Sequence, residues 1–299
     1  MKKTLPKIVV IVGPTASGKS DLAVELARHF DGEVISADSR QVYKGLDIGS
    51  GKITKREMRG IQHHLLDVAS PKRVYTASHF KRDASKAIKG ILSRGKLPII
   101  AGGTGFYIDA LIGDMALPEV APDKKLRERL EKKSTKELYK ALKRIDPKRA
   151  ESIDAHNPRR LIRAIEIATK LGSVPSLRSR AAYDALIIGI EVDKETLVQK
   201  IHTRIMVRLR KGMVAEARNL HTRGLSYKRM KELGLEYRLL ARLLQREISR
   251  DKFVSILHSE TKQYARRQMA WLKKNKSIRW IKVEEMSKAA KLVRQFVHS

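Results

Sequence analysis

The sequence predicts an α/β protein built on a parallel sheet, and three observations carry that expectation. Short β-branched runs, "KIVVIV", "EVISA" and "LPIIAGG", alternate with helical stretches through the first third of the chain, as strands joined by crossover helices do. A glycine-rich loop, "VGPTASGKS", stands between the first run and the first helix. From about residue 118 the text turns to charged, helix-forming sequence, "DKKLRERLEKKSTKELYKAL", with no comparable strand until "ALIIGIEV" at residues 185–192. Residues 118–177 therefore read as a helical insertion, and residues 1–117 and 178–299 as the core.

The elements follow in order. The first apolar run, residues 8–12, is too short for a signal peptide or a membrane span and leads directly into the glycine-rich loop. Helices are expected to start near Gly18 and Thr76, between the strands. Beyond "ALIIGIEV", Leu197, Ile201, Ile205, Leu209 and Met213 recur in steps of four, which predicts one long amphipathic helix. Two more helices are expected over residues 237–246 and 253–274, the second turning Leu257, Thr261, Ala265, Met269 and Leu272 inward. "IRWIKV" reads as a last strand before a short terminal helix. "KLGSVPSLRSR", residues 170–180, is the linker-like segment, and Trp271 and Trp280 read as core residues.

Composition narrows the function. Lys and Arg number 64 against 32 Asp and Glu, a formal charge of +32, which points to a polyanionic partner because clustered cations displace the counterions condensed on a phosphate backbone. The chain has no cysteine. Disulfides, thiolate zinc sites and cysteine nucleophiles are excluded, and a cytoplasmic protein without membrane contact is expected.

Gly13, Gly18, Lys19 and Ser20 complete G-x-x-x-x-G-K-[ST] around Pro14, Thr15, Ala16 and Ser17, so the predicted fold is P-loop NTPase-like. Backbone N–H groups would wrap a phosphate, Lys19 would add a cation and Ser20 a magnesium ligand. The loop alone leaves open whether it holds ATP or another diphosphate. Asp38, in "ISADSRQVYKGLDIGSGK", falls at the end of the second strand, where α/β sheets bind ligands; it reads as a magnesium-organising acid, a general base or a turn cap. In "AGGTGFYI", Gly102, Gly103 and Gly105 permit close backbone approach, and Thr104 offers a hydroxyl and a helix N-cap. No second acidic pair follows a strand, which weakens the ATPase reading. His63 and His64, adjacent on an extended segment, face opposite ways and are expected to pack and hydrogen-bond at the edge of the site rather than bind metal.

The ordered set "GPTASGKS", "ISADSRQVYKGLDIGSGK", "HHLLDV", "GGTGFYI", "NPRRLIRAIE" and "YARRQMAW" resembles the tRNA dimethylallyltransferases, or isopentenyl-tRNA transferases, from about Lys7 to Trp280. Lacking cysteine, the chain is similar to the bacterial type, without the zinc-finger tail of eukaryotic members. The resemblance implies that the P-loop grips the diphosphate of dimethylallyl diphosphate and that the five-carbon group passes to the N6 amine of the adenosine at position 37, next to the anticodon. By the same resemblance Asp38 is the base, Thr104 and Arg204 contact the diphosphate, and Mg2+ joins Ser20. "DSRQ", Asp38 with Ser39, Arg40 and Gln41, would touch the flipped adenine. Arg127 and the run Arg159, Arg160, Leu161, Ile162 and Arg163 match tRNA-contacting positions for the anticodon stem-loop. Arg266 and Arg267, with Lys262, Lys273 and Lys274, read as backbone contacts, and a monomer is implied. Leu235 and Glu236 replace the usual aromatic and cation, and Ala270 a common threonine. Two other functions stay open: an adenylate isopentenyltransferase acting on free nucleotide, disfavoured by the charge and the insertion, and a P-loop kinase or ATPase.

Overall fold

The computed structural model describes residues 5–113, 115, 117, 118, 120–175 and 181–299. The chain divides into two compact units, Met1–Gly113 with Ala181–Ser299, and Asp114–Arg180. The first unit begins β1 (Lys7–Val12), α1 (Lys19–His29), β2 (Gly32–Ser36), α2 (Lys55–Met58), β3 (His63–His64), α3 (Ala77–Ser93), β4 (Leu97–Ala101) and α4 (Gly105–Ile112). The second holds α5 (Lys124–Glu131), α6 (Thr135–Ile145), α7 (Pro147–Ser152) and α8 (Pro158–Leu171). The chain then returns to the first unit with β5 (Asp184–Glu191), α9 (Lys194–Arg210), α10 (Met213–Thr222), α11 (Tyr227–Glu232), α12 (Leu235–Leu244), α13 (Arg250–Leu272), β6 (Arg279–Lys282) and α14 (Met286–His298).

The six strands form one parallel sheet in the order β3-β2-β4-β1-β5-β6. β1 lies at its heart, with Val9 opposite Ile99 on one side and Leu186 on the other. Its alternation explains the unbroken apolar run: Ile8 and Val10 enter the core beneath α3, with Phe80, Ile88 and Ile91, while Val9 and Ile11 enter the opposite core with Leu22, Leu26 and Val293. Helices cover both faces, so Ile8 to Val12 are all buried. A third core joins Val42, Tyr43 and Leu46 to the C-terminal helices through Ile201, Ile205, Tyr237, Phe253 and Leu257.

The single helix expected through Met213 is two. Gly212 adopts φ 95° and starts α10 after α9 has ended at Arg210, yet Met213 still enters the same core as Leu209, which is why the spacing of four survived the break. Thr261, Ala265 and Leu272 are buried along α13 as expected, and Met269 is half-buried. Of the two tryptophans, Trp280 packs half-buried against the core and Gly189 as expected, whereas the core reading of Trp271 is corrected, since it is 39% exposed.

The second unit is capped from its own sequence. Ser134 and Glu137 form a capping box at α6, and Asn157 caps α8 with Pro158 at its first turn. Leu138, Leu142, Leu161, Ile162 and Ile165 make its core. Of the expected linker, residues 170 and 171 end α8, and residues 176–180, with the boundary at 177, lie outside the described residues.

Candidate active site

Because β2, β4 and β1 are parallel neighbours, the loops leaving their C-terminal ends stand side by side. Three backbone bonds stitch them together: Ala37 N–H to Ala101 O at 2.8 Å, Gly102 N–H to Ile11 O at 3.2 Å and Thr104 N–H to Ala37 O at 3.2 Å. A Cβ on Gly102 would sit 2.7 Å from that of Ala37, so only glycine allows this closure. Thr104 occupies the N-cap position of α4 but makes no side-chain cap. Its hydroxyl instead accepts from Ser39 N–H at 3.1 Å, and so holds the Asp38 segment. The Oδ1 of Asp38 accepts from the N–H groups of Arg40 at 2.8 Å and Gln41 at 3.4 Å. This Asx turn fixes the direction of the carboxylate.

The P-loop follows β1. Left-handed residues at Ala16, φ 63°, and Gly18, φ 88°, turn successive N–H groups inward as an anion-binding nest, and Gly18 leaves the N-terminus of α1 without a side-chain cap. Ser17 is fully buried, and its Oγ has no hydrogen-bond partner among the described residues. The Nζ of Lys19 donates to Pro14 O at 2.6 Å. Burial, with Arg204 adding to it and Asp38 opposing it, pushes the Lys19 amine down to about 7. The guanidinium of Arg204 donates to Gly51 O at 3.0 Å; burial and neighbouring Arg208 lower it to about 10, against Glu236 and Asp38. Two half-buried cations whose charged forms are disfavoured in this way favour an anion beside them.

The segment after Asp38 is bolted on both sides. Glu216 of α10 accepts from the N–H groups of Asp47, Ile48 and Gly49 at 3.0, 2.6 and 2.9 Å and from the Tyr237 hydroxyl at 2.6 Å. Arg208 donates to Gly49 O at 3.2 Å and Ser50 O at 3.4 Å, and Glu236 balances it at 3.4 Å. Gln41 reaches Gly51 O at 3.3 Å, and Arg40 packs on the bare backbone of Gly234.

One site residue lies within "YARRQMAW" without being singled out there. Gln268 on α13 is 8% exposed. Its Oε1 accepts from Thr15 N–H at 2.9 Å and its Nε2 donates to Gly103 O at 2.8 Å, so one amide ties the P-loop to the Thr104 loop. Its sequence signals are its place in that motif and its spacing from Ala265 and Leu272 on the buried face of the helix.

The expected RNA-contacting residues divide. Arg159, Arg160, Arg266 and Arg267 are exposed. Leu161 and Ile162 are 0% and 8% exposed in the core of the second unit, which corrects their placement at an RNA surface. Arg127 and Arg163 converge on Glu166, whose side chain is 1% exposed: Arg127 makes a bidentate pair at 2.9 and 2.7 Å and Arg163 bonds at 2.5 Å. Burial pushes the Glu166 carboxyl up, and the bonds from Arg127, Arg163 and Asp123 N–H outweigh it and hold it below the usual range. Both arginines brace Glu166 while their side chains stay 36% and 37% exposed. His64 Nε2 lies 2.7 Å from Glu33 Oε2 and His63 Nδ1 2.9 Å from Ile61 O, hydrogen-bonding at the edge of the sheet; among the described residues no group of three or more His, Cys, Asp or Glu is placed to hold a metal.

Residues 41–275 match the IPP transferase family. The chain belongs to that family. Over 300 residues it is 41% identical to a tRNA dimethylallyltransferase of Acetivibrio thermocellus, with 97% of this chain and 96% of that one covered. A tRNA dimethylallyltransferase of Staphylococcus epidermidis is 40% identical, with 95% and 89% covered. Among solved structures, the full-length tRNA isopentenylpyrophosphate transferase of Bacillus halodurans superposes with a TM-score of 0.74 at 32% identity, covering 97% of this chain and 96% of its own. A eukaryotic dimethylallyltransferase acting on tRNA reaches 0.84 at 25% identity, covering 98% and 80%. The IPP transferase match begins at Gln41, so the P-loop and Asp38 lie before it, within the span that the relatives cover.

Proposed function

We propose that this IPP transferase moves a dimethylallyl group from dimethylallyl diphosphate to the N6 amine of adenosine 37 in tRNA, releasing diphosphate. The observation that carries the reading is the juxtaposition of an anion-binding nest, two desolvated cations and a directed carboxylate at three adjoining strand ends. The C–O bond to the diphosphate breaks, a C–N bond forms, and the amine proton passes to Asp38. An adenine amine is a weak nucleophile, so an acceptor held in place by the Arg40 and Gln41 N–H groups contributes directly to the barrier. The P-loop N–H groups, Lys19 and Arg204 stabilise the charge growing on the departing oxygen, and Thr104 keeps the Asp38 segment against them.

Magnesium fits this donor set. Ser20 is exposed at the first turn of α1, the buried Ser17 hydroxyl lacks a partner, and an ion that takes oxygen ligands partly from its phosphate needs few from the protein. When bound it would supply further positive charge at the leaving group. The +32 charge and the exposed Arg159, Arg160, Arg266 and Arg267 support the anticodon stem-loop as partner, acting on a monomer in the cytoplasm; among the described residues no helix is long and apolar enough to cross a membrane.

The test is single-turnover transfer by Asp38→Asn. The rate of transfer falls by roughly 10²- to 10⁴-fold while affinity for tRNA stays within about twofold. Transfer at the wild-type rate removes Asp38 from the reaction.

A further inference from the structure

Among the described residues three Phe, Tyr or Trp side chains are exposed, and all lie on two elements, α4 and α13, that meet the Thr104 loop and the P-loop. Phe106 is 44% exposed on α4, Tyr264 38% and Trp271 39% on α13. Tyr264 and Trp271 are seven residues apart, two turns along one helix face. Phe106 stands two residues beyond Thr104. Trp271 is fixed by packing: its ring lies so close to the backbone of α4 that a Cβ at Gly105 would be 2.6 Å from Nε1, and its indole is near enough to Asp109 to favour the charged carboxylate. Tyr264 is near enough to interact electrostatically with Asp38 and Arg40, and the Arg267 guanidinium stands 6.0 Å above its ring. Arg266, Lys273 and Lys274 are exposed on the same stretch of chain.

We propose that Phe106, Tyr264 and Trp271 form a stacking ledge for the unpaired RNA bases on either side of the target adenosine. The inference rests on the tRNA reading given above. Extruding one base from a loop leaves its neighbours with uncovered π faces, and a rigid aromatic beside cations that hold the phosphates is the surface that receives them. Each base has such a face, so the ledge contributes affinity and places the loop without reading its sequence. The five-carbon isoprenoid is not its occupant, because an apolar group of that size gains from enclosure and these rings stay more than a third exposed.

The chain has two tryptophans, which makes the ledge directly visible. In Trp280→Phe the emission of Trp271 is followed as an unmodified anticodon stem-loop RNA is added, with binding read independently by anisotropy of labelled RNA. Quenching that tracks binding is expected. Phe106→Ala and Tyr264→Ala should each weaken RNA binding about tenfold, with an unchanged salt slope and unchanged affinity for dimethylallyl diphosphate. RNA bound at full affinity by both variants, or bound with Trp271 emission unaltered, overturns the ledge alone. Wild-type protein that neither binds nor modifies the RNA overturns the ledge together with the tRNA reading.

Discussion

Lys19 is the most recognisable residue of the site and a strongly perturbed one. With its amine lowered to about 7, the free protein holds Lys19 largely neutral above that pH, whereas a bound diphosphate favours the protonated form. Binding of inorganic diphosphate should therefore take up a proton between about pH 7 and the usual lysine range, and affinity should fall as pH rises through that window. Calorimetry at pH 8 in buffers of different ionisation enthalpy measures the uptake. Lys19→Met should abolish it; uptake that persists in the variant assigns it to another group. Gln268→Ala should remove one acceptor from Thr15 N–H and one donor to Gly103 O, and a buried group left unsatisfied costs about 1–3 kcal/mol. A fall of tenfold or more in kcat/KM is expected, with tRNA affinity kept. The P-loop was legible because its turns and its lysine are written as a motif, whereas a glutamine on a charged helix reads as surface until the two loops it joins are placed in space.

At the scale of the element, the second unit turns on Glu166. Glu166 is buried but the arginines it would leave unpaired are more than a third exposed, so its loss costs less than breaking a fully buried pair; Glu166→Ala should still loosen α5 and α8, seen as faster amide exchange through residues 124–131 and 158–171. Unaltered exchange there would contradict the brace. The sign with pH follows from the lowered carboxyl: its stabilisation is complete above the ordinary glutamate range and is lost as pH falls through the lower folded value. Arg127 and Arg163 match tRNA-contacting positions by resemblance, and only the fold shows that both also meet Glu166, 39 and three residues away. The break at Gly212 was hidden for the opposite reason, since apolar spacing continued across it. The strands around the site were plain from sequence because both faces of each are buried, which concentrates β-branched residues into short runs, broken in β2 only by Glu33 and Ser36.

For the whole molecule, the charge of +32 should appear as a steep loss of tRNA affinity with salt. Replacing the exposed Arg159 and Arg160 by alanine should lower the slope of log affinity against log salt by about two if each meets a phosphate; an unchanged slope moves the RNA elsewhere. Charge and motif order made an RNA-directed transferase legible, but which cations face RNA depended on partners that no linear pattern displays. The central claim is that the diphosphate held at the strand ends is a leaving group, not part of a nucleotide to be hydrolysed. Its most direct test is transfer of label from dimethylallyl diphosphate, with magnesium, to unmodified tRNA or to AMP, beside a measurement of ATP turnover. Label in tRNA at the adenosine next to the anticodon, with neither AMP labelled nor ATP consumed, is the predicted result; label in AMP alone, or ATP turnover without transfer, would contradict it.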